Sequence, residues 1–485
     1  MLIERQAVEP IRTDHRVQFL SEEQLDRIQE ATLQILEDTG VKFPSAKALS
    51  LFADHGDQVD HDTQIVRIPR DLVYKALSTV PRYFNVGARV PSCDFHLEDG
   101  VSYFCTDGCG VETIDFETRQ RRASCKADVG RMARVADYLS STAFYWPMVS
   151  AQDCGKTASL HELDASWNNT VKHVQSVTLM GAAQARYAVE MATVIAGDEE
   201  ELRRRPVLSL IVCTVAPLVQ DERSLESAMV LAEAGLPLTI LAMPTLGSTA
   251  PVTFAGSLVV GDAEVISATV LMQLVKPGVP LSHSIMHAWA DPRSGAYVAY
   301  PTDRRCGFAP VEMAHRWRMP AFGGAFGTES HDPGTWQAAA DVALDPLLSG
   351  LAGAEWVTGI GMNRSFTLLY PEAIILDDEL YHRARYALAR MEVNDETLAL
   401  DAIRDVGQAG HFLAQKHTRD HIRSVAKRMG ITHEMDAQRS YRDPLTVARE
   451  KVMWILDNHQ PEPLEKAKQV ELTRILEAAD REFDQ

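Results

Sequence analysis

The residues best suited to chemistry gather in three stretches of this 485-residue chain. Phe322–Trp336 combines Gly323, Gly324, Phe326, Glu329, His331 and Trp336. Glycines there let a backbone approach a ligand closely, and the other side chains supply rings and titratable groups. Met243–Gly256 is rich in small residues and sets Ser248, Thr249 and backbone amides at a predicted helix start, while Met286–Gly295 contributes Trp289. Caps at Thr249 and Thr335 explain each stretch singly, but three such loops at one end of a sheet point to a ligand. Around them lie Tyr103, Tyr145, Trp146, Trp167 and Phe322, at or near predicted strand ends. A box of ring faces attracts quaternary ammonium groups, with about 2 kcal/mol or more for a good desolvated contact. Core packing explains most isolated tryptophans equally well.

Other chemistries have thinner support. Cys105 and Cys109 have no second Cys or His pair beside them, and His161 and Asp164 suit a cap better than a metal. His283 and His287 lie on a predicted strand, where they share a face yet stand too far apart for a common ion. No metal of the chain's own is expected. There is no Gly-x-Ser-x-Gly elbow and no Walker loop, and Cys213 sits in an apolar strand where a thiol packs. His411, His417 and His421 fall on a helical tail and read as surface or packing residues.

Composition bounds the class. Apolar residues are 46% and charged residues 24% of the chain, which excludes disorder, collagen-like repeats and a disulfide scaffold. A net charge of −19, from 48 basic against 67 acidic residues, argues against unspecific binding to nucleic acid or an anionic membrane. The longest apolar stretch, Phe254–Val275, is interrupted by Asp262 and Glu264, short of the ~18 uncharged residues of a membrane span. Seven cysteines, none in the first 92 residues, and a start without an apolar leader suggest a reducing, cytoplasmic setting.

Residues 1–140 read as a mixed α/β region. Ser21 and Gln24 form a capping signature before a helical run, Gln64–Ile68 alternates as a strand, and Tyr103–Cys105 with Val111–Ile114 read as a hairpin. From residue 141 to 395, short apolar runs alternate with helical patterns. The predicted strands are Phe144–Val149, His173–Leu179, Val207–Thr214, Pro237–Met243, Pro280–Met286, Pro320–Phe322, Trp356–Ile360 and Glu372–Leu376. Eight such units in roughly 255 residues match an α/β fold of the (β/α)8 TIM barrel type. An open doubly wound sheet is the alternative, without its Gly-rich phosphate fingerprint. Residues 396–485 are helical and charged, a flank to the barrel.

Longer motifs resemble one family. Met243–Leu258, continuing through Ala263-Glu264 and Leu274–Pro280, is similar to the trimethylamine:corrinoid methyltransferases, as are Asn168–His173, Gly350–Glu355 and Gly410–Thr418. The likeness runs from Leu20 to the tail. It implies a (β/α)8 barrel over whose mouth a separate corrinoid-carrying protein docks, so that Co(I) takes a methyl group from an amine held inside. Archaeal trimethylamine enzymes of that family use pyrrolysine, whereas this chain holds the twenty standard residues. The resemblance is therefore to the branch that demethylates quaternary amines such as glycine betaine.

A quaternary ammonium is already activated, because displacement releases a neutral tertiary amine. Alignment, exclusion of water and binding of the cation are then the protein's tasks. The candidate catalytic residues are His331 and Glu329, both in the loop after the sixth predicted strand: His331 is the first choice for a polar contact to substrate, and Glu329 is the alternative, offsetting the substrate's charge. Tyr103, Tyr145, Trp146, Trp289, Phe326 and Trp336 line the pocket, and Ser248, Thr249, Gly323 and Gly324 face the corrinoid. The partners implied are a corrinoid protein and a small quaternary amine, with no nucleic acid and no membrane; a homo-oligomer stays open. A metal-dependent barrel hydrolase or lyase and a non-catalytic amine-binding scaffold are the rival readings.

Overall fold

The computed structural model describes residues 3–56, 58–299, 303–427 and 429–483. Eight parallel strands carry the architecture: β1 (Val101–Thr106), β2 (Phe144–Tyr145), β3 (His173–Ser176), β4 (Leu208–Val215), β5 (Leu238–Ala242), β6 (Leu281–Ile285), β7 (Phe322–Gly324) and β8 (Trp356–Ile360). Each pairs with the next in parallel register, a single bridge between His283 and Ala321 joins β6 to β7, and β8 pairs with β1. The pairings thus run in a circuit. Followed once round from Cys105 through Phe144 and His173, the registers return at Leu97, eight residues below the start.

Helices follow the strands: α1 (Lys126–Tyr138), α2 (Ala158–Asn169), α3 (Ala182–Ala196), α4 (Glu222–Ala234), α5 (Phe254–Val275), α6 (Arg305–Arg316), α7 (Asp345–Ala352) and α8 (Pro371–Leu388). Strand alternation sorts the side chains. Tyr103, Cys105, Phe144, Trp146, Ile211, Leu241, Phe322 and Trp356 pack together inside the circuit. Val174, Leu210, Val212 and Ile240, of opposite parity, pack outward against helix residues such as Ala188, Met191 and Leu231. Phe84, Phe95 and Leu97, on and beside the hairpin Asn85–Val86 and Phe95–His96, join the inner cluster at its lower end.

Two sequence expectations shift by one strand. Tyr103–Cys105 is not a hairpin arm but part of β1; Glu112–Ile114 pairs instead with Arg121–Ala123 and Leu368–Leu369. The predicted strand Glu372–Leu376 is helical, inside α8. Pro371 at the first helical position favours a helix start there, and a short buried apolar run does not by itself separate strand from helix.

Helix α5 explains the long apolar stretch. It is long and apolar enough to cross a membrane by length and composition alone, despite its two acids, yet most of it is buried within the protein, as in a core helix. It lies between the sheet and the N-terminal helices Glu22–Gln34, Ala46–Asp54 and Arg70–Leu77, so it is apolar on every side. Its two acids have partners. Asp262 accepts from the Thr32 hydroxyl at 2.7 Å, His283 Nε2 at 2.8 Å and Trp317 Nε1 at 2.9 Å. Glu264 accepts from the Leu218 N–H at 2.8 Å and the Thr214 hydroxyl at 2.5 Å, and burial pushes its carboxyl up to about 7. The tail helices Pro444–Asn458 and Lys466–Phe483 pack on α1, α8 and α3.

Candidate functional site

The C-terminal ends of the strands and the loops beyond them converge on one cavity. Asp107, Met243, Met286, Gly324 and Ala325 come from strand ends, His287, Ala299, Arg304 and Phe366 from loops, Tyr297 from a short strand within the loop after β6, and Cys306 from the start of α6. Asp107 directly follows β1. It is 2% exposed, its Oδ1 accepts the Gly108 N–H at 2.7 Å, and burial pushes its carboxyl up to about 7. Behind it the Trp146 indole lies so close to Gly108 that a Cβ there would sit 1.9 Å from Nε1. Glycine is obligatory at that contact.

His287 donates from Nδ1 to the Cys306 carbonyl at 3.0 Å, and its ring meets Phe254 edge-on at 5.0 Å. Burial pushes its imidazole down to about 4, so it is neutral at pH 7. The Arg304 guanidinium pairs with Asp345, from α7. Full burial of that carboxyl outweighs the guanidinium beside it and pushes it up to about 7.

Three loops are tied across the mouth by Glu329. Its carboxylate accepts from the Ala299 N–H at 2.7 Å and from the Ser365 hydroxyl, joining the loops after β6, β7 and β8. Ser365 sits in an unusual turn: Arg364, Ser365 and Phe366 have φ of +48°, +47° and +68°. Consecutive non-glycine residues in the left-handed region cost of order 1–3 kcal/mol each and persist where surroundings over-determine them. Here Arg364 N–H donates to Ser330 O at 3.1 Å and Ser365 N–H to Thr328 O at 3.2 Å. The turn thereby delivers Phe366 to the cavity.

Of the residues singled out in the sequence, Gly324 lines this cavity, Trp146 packs in the inner cluster against Gly108 behind Asp107, and Trp289 lies on a short strand paired with Thr245–Leu246 and Tyr297–Val298. Others lie elsewhere. Tyr103 is in the lower half of the circuit, 4.5 Å from the Phe95 ring. Tyr145 faces outward and donates its hydroxyl to Val129 O at 2.9 Å. Phe326 also faces outward, edge-on to Phe104 at 6.0 Å, and Trp336 is 87% exposed. Gly323 faces Ala354, opposite in parity to Gly324. Ser248 and His331 are exposed on their loops, and Thr249 Oγ1 accepts the Thr245 N–H at 3.0 Å. Trp167 is fully buried between helix and sheet. Asp107 and Phe366 were not singled out as ligand contacts; the Thr106-Asp107-Gly108 step, an acid at a strand end, is the signal that could have found the first, but it reads equally as a hairpin turn.

His283, within β6, turns outward to Asp262, whereas His287 lies beyond the strand's end at Ile285 and lines the cavity, so the two do not share a strand face. Among the described residues no three His, Cys, Asp or Glu side chains assemble into a metal-binding group.

A family model described as trimethylamine methyltransferase matches residues 2–483. The chain belongs to that family. It is a methyltransferase. The chain is 31% identical to the trimethylamine methyltransferase MttB of Desulfitobacterium hafniense over 469 residues, 96% of this chain and 94% of that one. It is 29% identical to MttB of Methanosarcina barkeri over 471 residues, 95% of each chain. A glycine betaine methyltransferase of Desulfitobacterium hafniense is 29% identical over 409 residues, 83% of this chain and 84% of that one. Among solved structures, the monomethylamine methyltransferase MtmB of Methanosarcina barkeri aligns with 90% of this methyltransferase and 92% of its own chain, at 12% identity and a TM-score of 0.48.

Proposed function

We propose that this methyltransferase moves a methyl group from a quaternary amine, glycine betaine or a related betaine, to Co(I) of a corrinoid carried by a separate protein. The reading includes a (β/α)8 TIM barrel with an N-terminal α/β extension and a C-terminal helical region. Parallel pairing all round the circuit and its eight-residue stagger support that architecture, since such barrels have a shear of eight. The observation that carries the function is the make-up of the mouth: a buried carboxyl at Asp107, thioethers at Met243 and Met286, and rings at Tyr297 and Phe366 around one small cavity.

Each part has a task in methyl transfer. The Asp107 carboxylate offsets the ammonium charge in a site of low polarity, where such a contact is strong. Ring faces and polarisable sulfur suit N-methyl groups. Met243 is 37% exposed, so the cavity opens outward on the side of the exposed Ser248 loop. We assign Ser248, Thr249 and His331 to the rim met by the acceptor protein, and Glu329 to holding the loops in place. The corrinoid, as methyl acceptor, supplies a reduced cobalt nucleophile. The C–N bonding pair stays with nitrogen, a neutral tertiary amine leaves, and no proton moves, so the chain needs neither a general acid nor a nucleophile of its own.

The test is methyl transfer to cob(I)alamin, followed by absorbance, from glycine betaine, carnitine, choline and trimethylamine. Transfer from a quaternary amine is the expected result. Transfer from trimethylamine alone, or from no amine by folded protein, overturns the proposal.

A further inference from the structure

Two polar side chains buried inside the strand circuit have no hydrogen-bond partner among the described residues. Gln175, on β3, is fully buried, and neither its amide nitrogen nor its amide oxygen makes a hydrogen bond among the described residues. The hydroxyl of Thr239, on β5 and equally buried, is in the same position. Both face the inside of the strand circuit. His173, two residues before Gln175, reaches Ser209 Oγ at 2.8 Å and the Phe144 ring at 6.4 Å, and Leu241, two after Thr239, belongs to the inner cluster. They also share a depth. Gln175 pairs with Ser209, whose register continues to Pro237, and Thr239 stands two residues higher. That offset brings alternate strands into one layer when the stagger is eight residues. A native fold seldom leaves two such groups orphaned at one level without a role.

The chemistry of displacement says what belongs there. Attack in line with the C–N bond requires the departing methyl to face outward, toward the acceptor, so the substituents remaining on nitrogen point inward. We infer that Gln175 and Thr239 are the subsite for an oxygen-bearing tail, carboxylate or hydroxyl, on the quaternary ammonium substrate. The inference rests on the functional reading above and adds its specificity: an amide N–H and a hydroxyl donate to such an oxygen, whereas a tailless cation leaves both orphaned.

Gln175→Leu and Thr239→Val test it separately. Methyl transfer to cob(I)alamin is measured from glycine betaine, choline and tetramethylammonium, which has no tail. In either variant the ratio of kcat/KM for the tailed substrate over tetramethylammonium should fall roughly ten-fold or more, because a site built for a polar group discriminates through it. A greater loss with glycine betaine assigns the tail as carboxylate; a greater loss with choline assigns it as hydroxyl. Without substrate, Tm should hold or rise, since an apolar side chain removes an orphaned polar group. A fall in Tm with an unmoved ratio in both variants means a structural role and overturns the inference while leaving the functional reading intact. Wild-type protein silent toward all three substrates brings down both.

Discussion

A carboxyl that is 2% exposed, with the Gly108 N–H donating to it, ionises against the cost of burial, and Asp107 is held near about 7 for that reason. Its pH behaviour follows. The folded state keeps the Asp107 proton that the unfolded chain releases near pH 4, so this group makes stability fall as pH rises from about 4 to about 7. A bound cation favours the ionised form, so ligand binding should strengthen over the upper part of the same range. Calorimetric titration of a quaternary ammonium at pH 6 and pH 8 should show tighter binding at pH 8. Asp107→Asn should bind roughly ten-fold more weakly and lose the pH dependence; an unchanged pH profile would show that the cation does not meet this carboxyl. Gly108→Ala should be worse than its size suggests, because its methyl enters the Trp146 indole; a loss of about 2 kcal/mol or more is expected in denaturant melts. Trp146 and Gly324 were legible in the sequence, the first as a ring on a predicted strand and the second as a glycine in the loop just beyond one. Asp107 was not, because Asp-Gly at a strand end is also the signature of a hairpin turn.

Among the elements, the eight strands were nearly all visible, but their count began one strand late. His173–Ser176, Leu238–Ala242 and Trp356–Ile360 are short apolar runs set between helical patterns, and that contrast is legible. Val101–Thr106 was hidden because the hairpin Glu112–Ile114 and Arg121–Ala123 intervenes before α1, breaking the strand-then-helix rhythm. Side-chain direction was less accessible still: at β2, which spans two residues, parity decides that Tyr145 faces α1 while Trp146, just beyond it, faces the inside of the circuit. The left-handed turn Arg364–Phe366 had no sequence signal, since none of its residues is a glycine or asparagine. Tertiary contacts hold it, above all the Ser365 hydroxyl on Glu329. Glu329→Ala should therefore free three loops at once. The expected result is a rise in KM of about ten-fold with Tm lowered by only a few degrees, and faster proteolysis between residues 290 and 299 or at 364–366. Loss of kcat alone, with KM and proteolysis unmoved, would give Glu329 direct contact with the reacting groups instead.

At the scale of the whole molecule, the flanking segments close the fold. The arm Ile11–Arg12 pairs antiparallel with β1, and Ile3 bridges to His459, whose Nε2 lies 2.8 Å from the buried Asp137 of α1. The last helix, Lys466–Phe483, buries Leu472, Ile475, Leu476 and Ala479 in the same core as Ala188 and Met191 of α3. Lys468 donates to Ile195 O at 2.8 Å, and the Thr157 hydroxyl donates to Asp480 at 2.5 Å. Burial of the three larger aliphatic side chains is worth roughly 5–9 kcal/mol at about 1.5–3 kcal/mol each, comparable with the about 5–15 kcal/mol that holds an ordinary domain folded. A charged tail helix thus behaves as structural despite its distance from the mouth, and its contribution was hard to see from a sequence in which acids and bases outnumber its core residues. Ending the chain after Pro463 should give protein that aggregates or lacks a cooperative melt by circular dichroism. Adding back the missing helix as a peptide should restore the melt if the rest of the fold forms independently of it. A truncated chain that melts like the full one would place the last helix outside the folding unit and make its buried face a surface the molecule can spare.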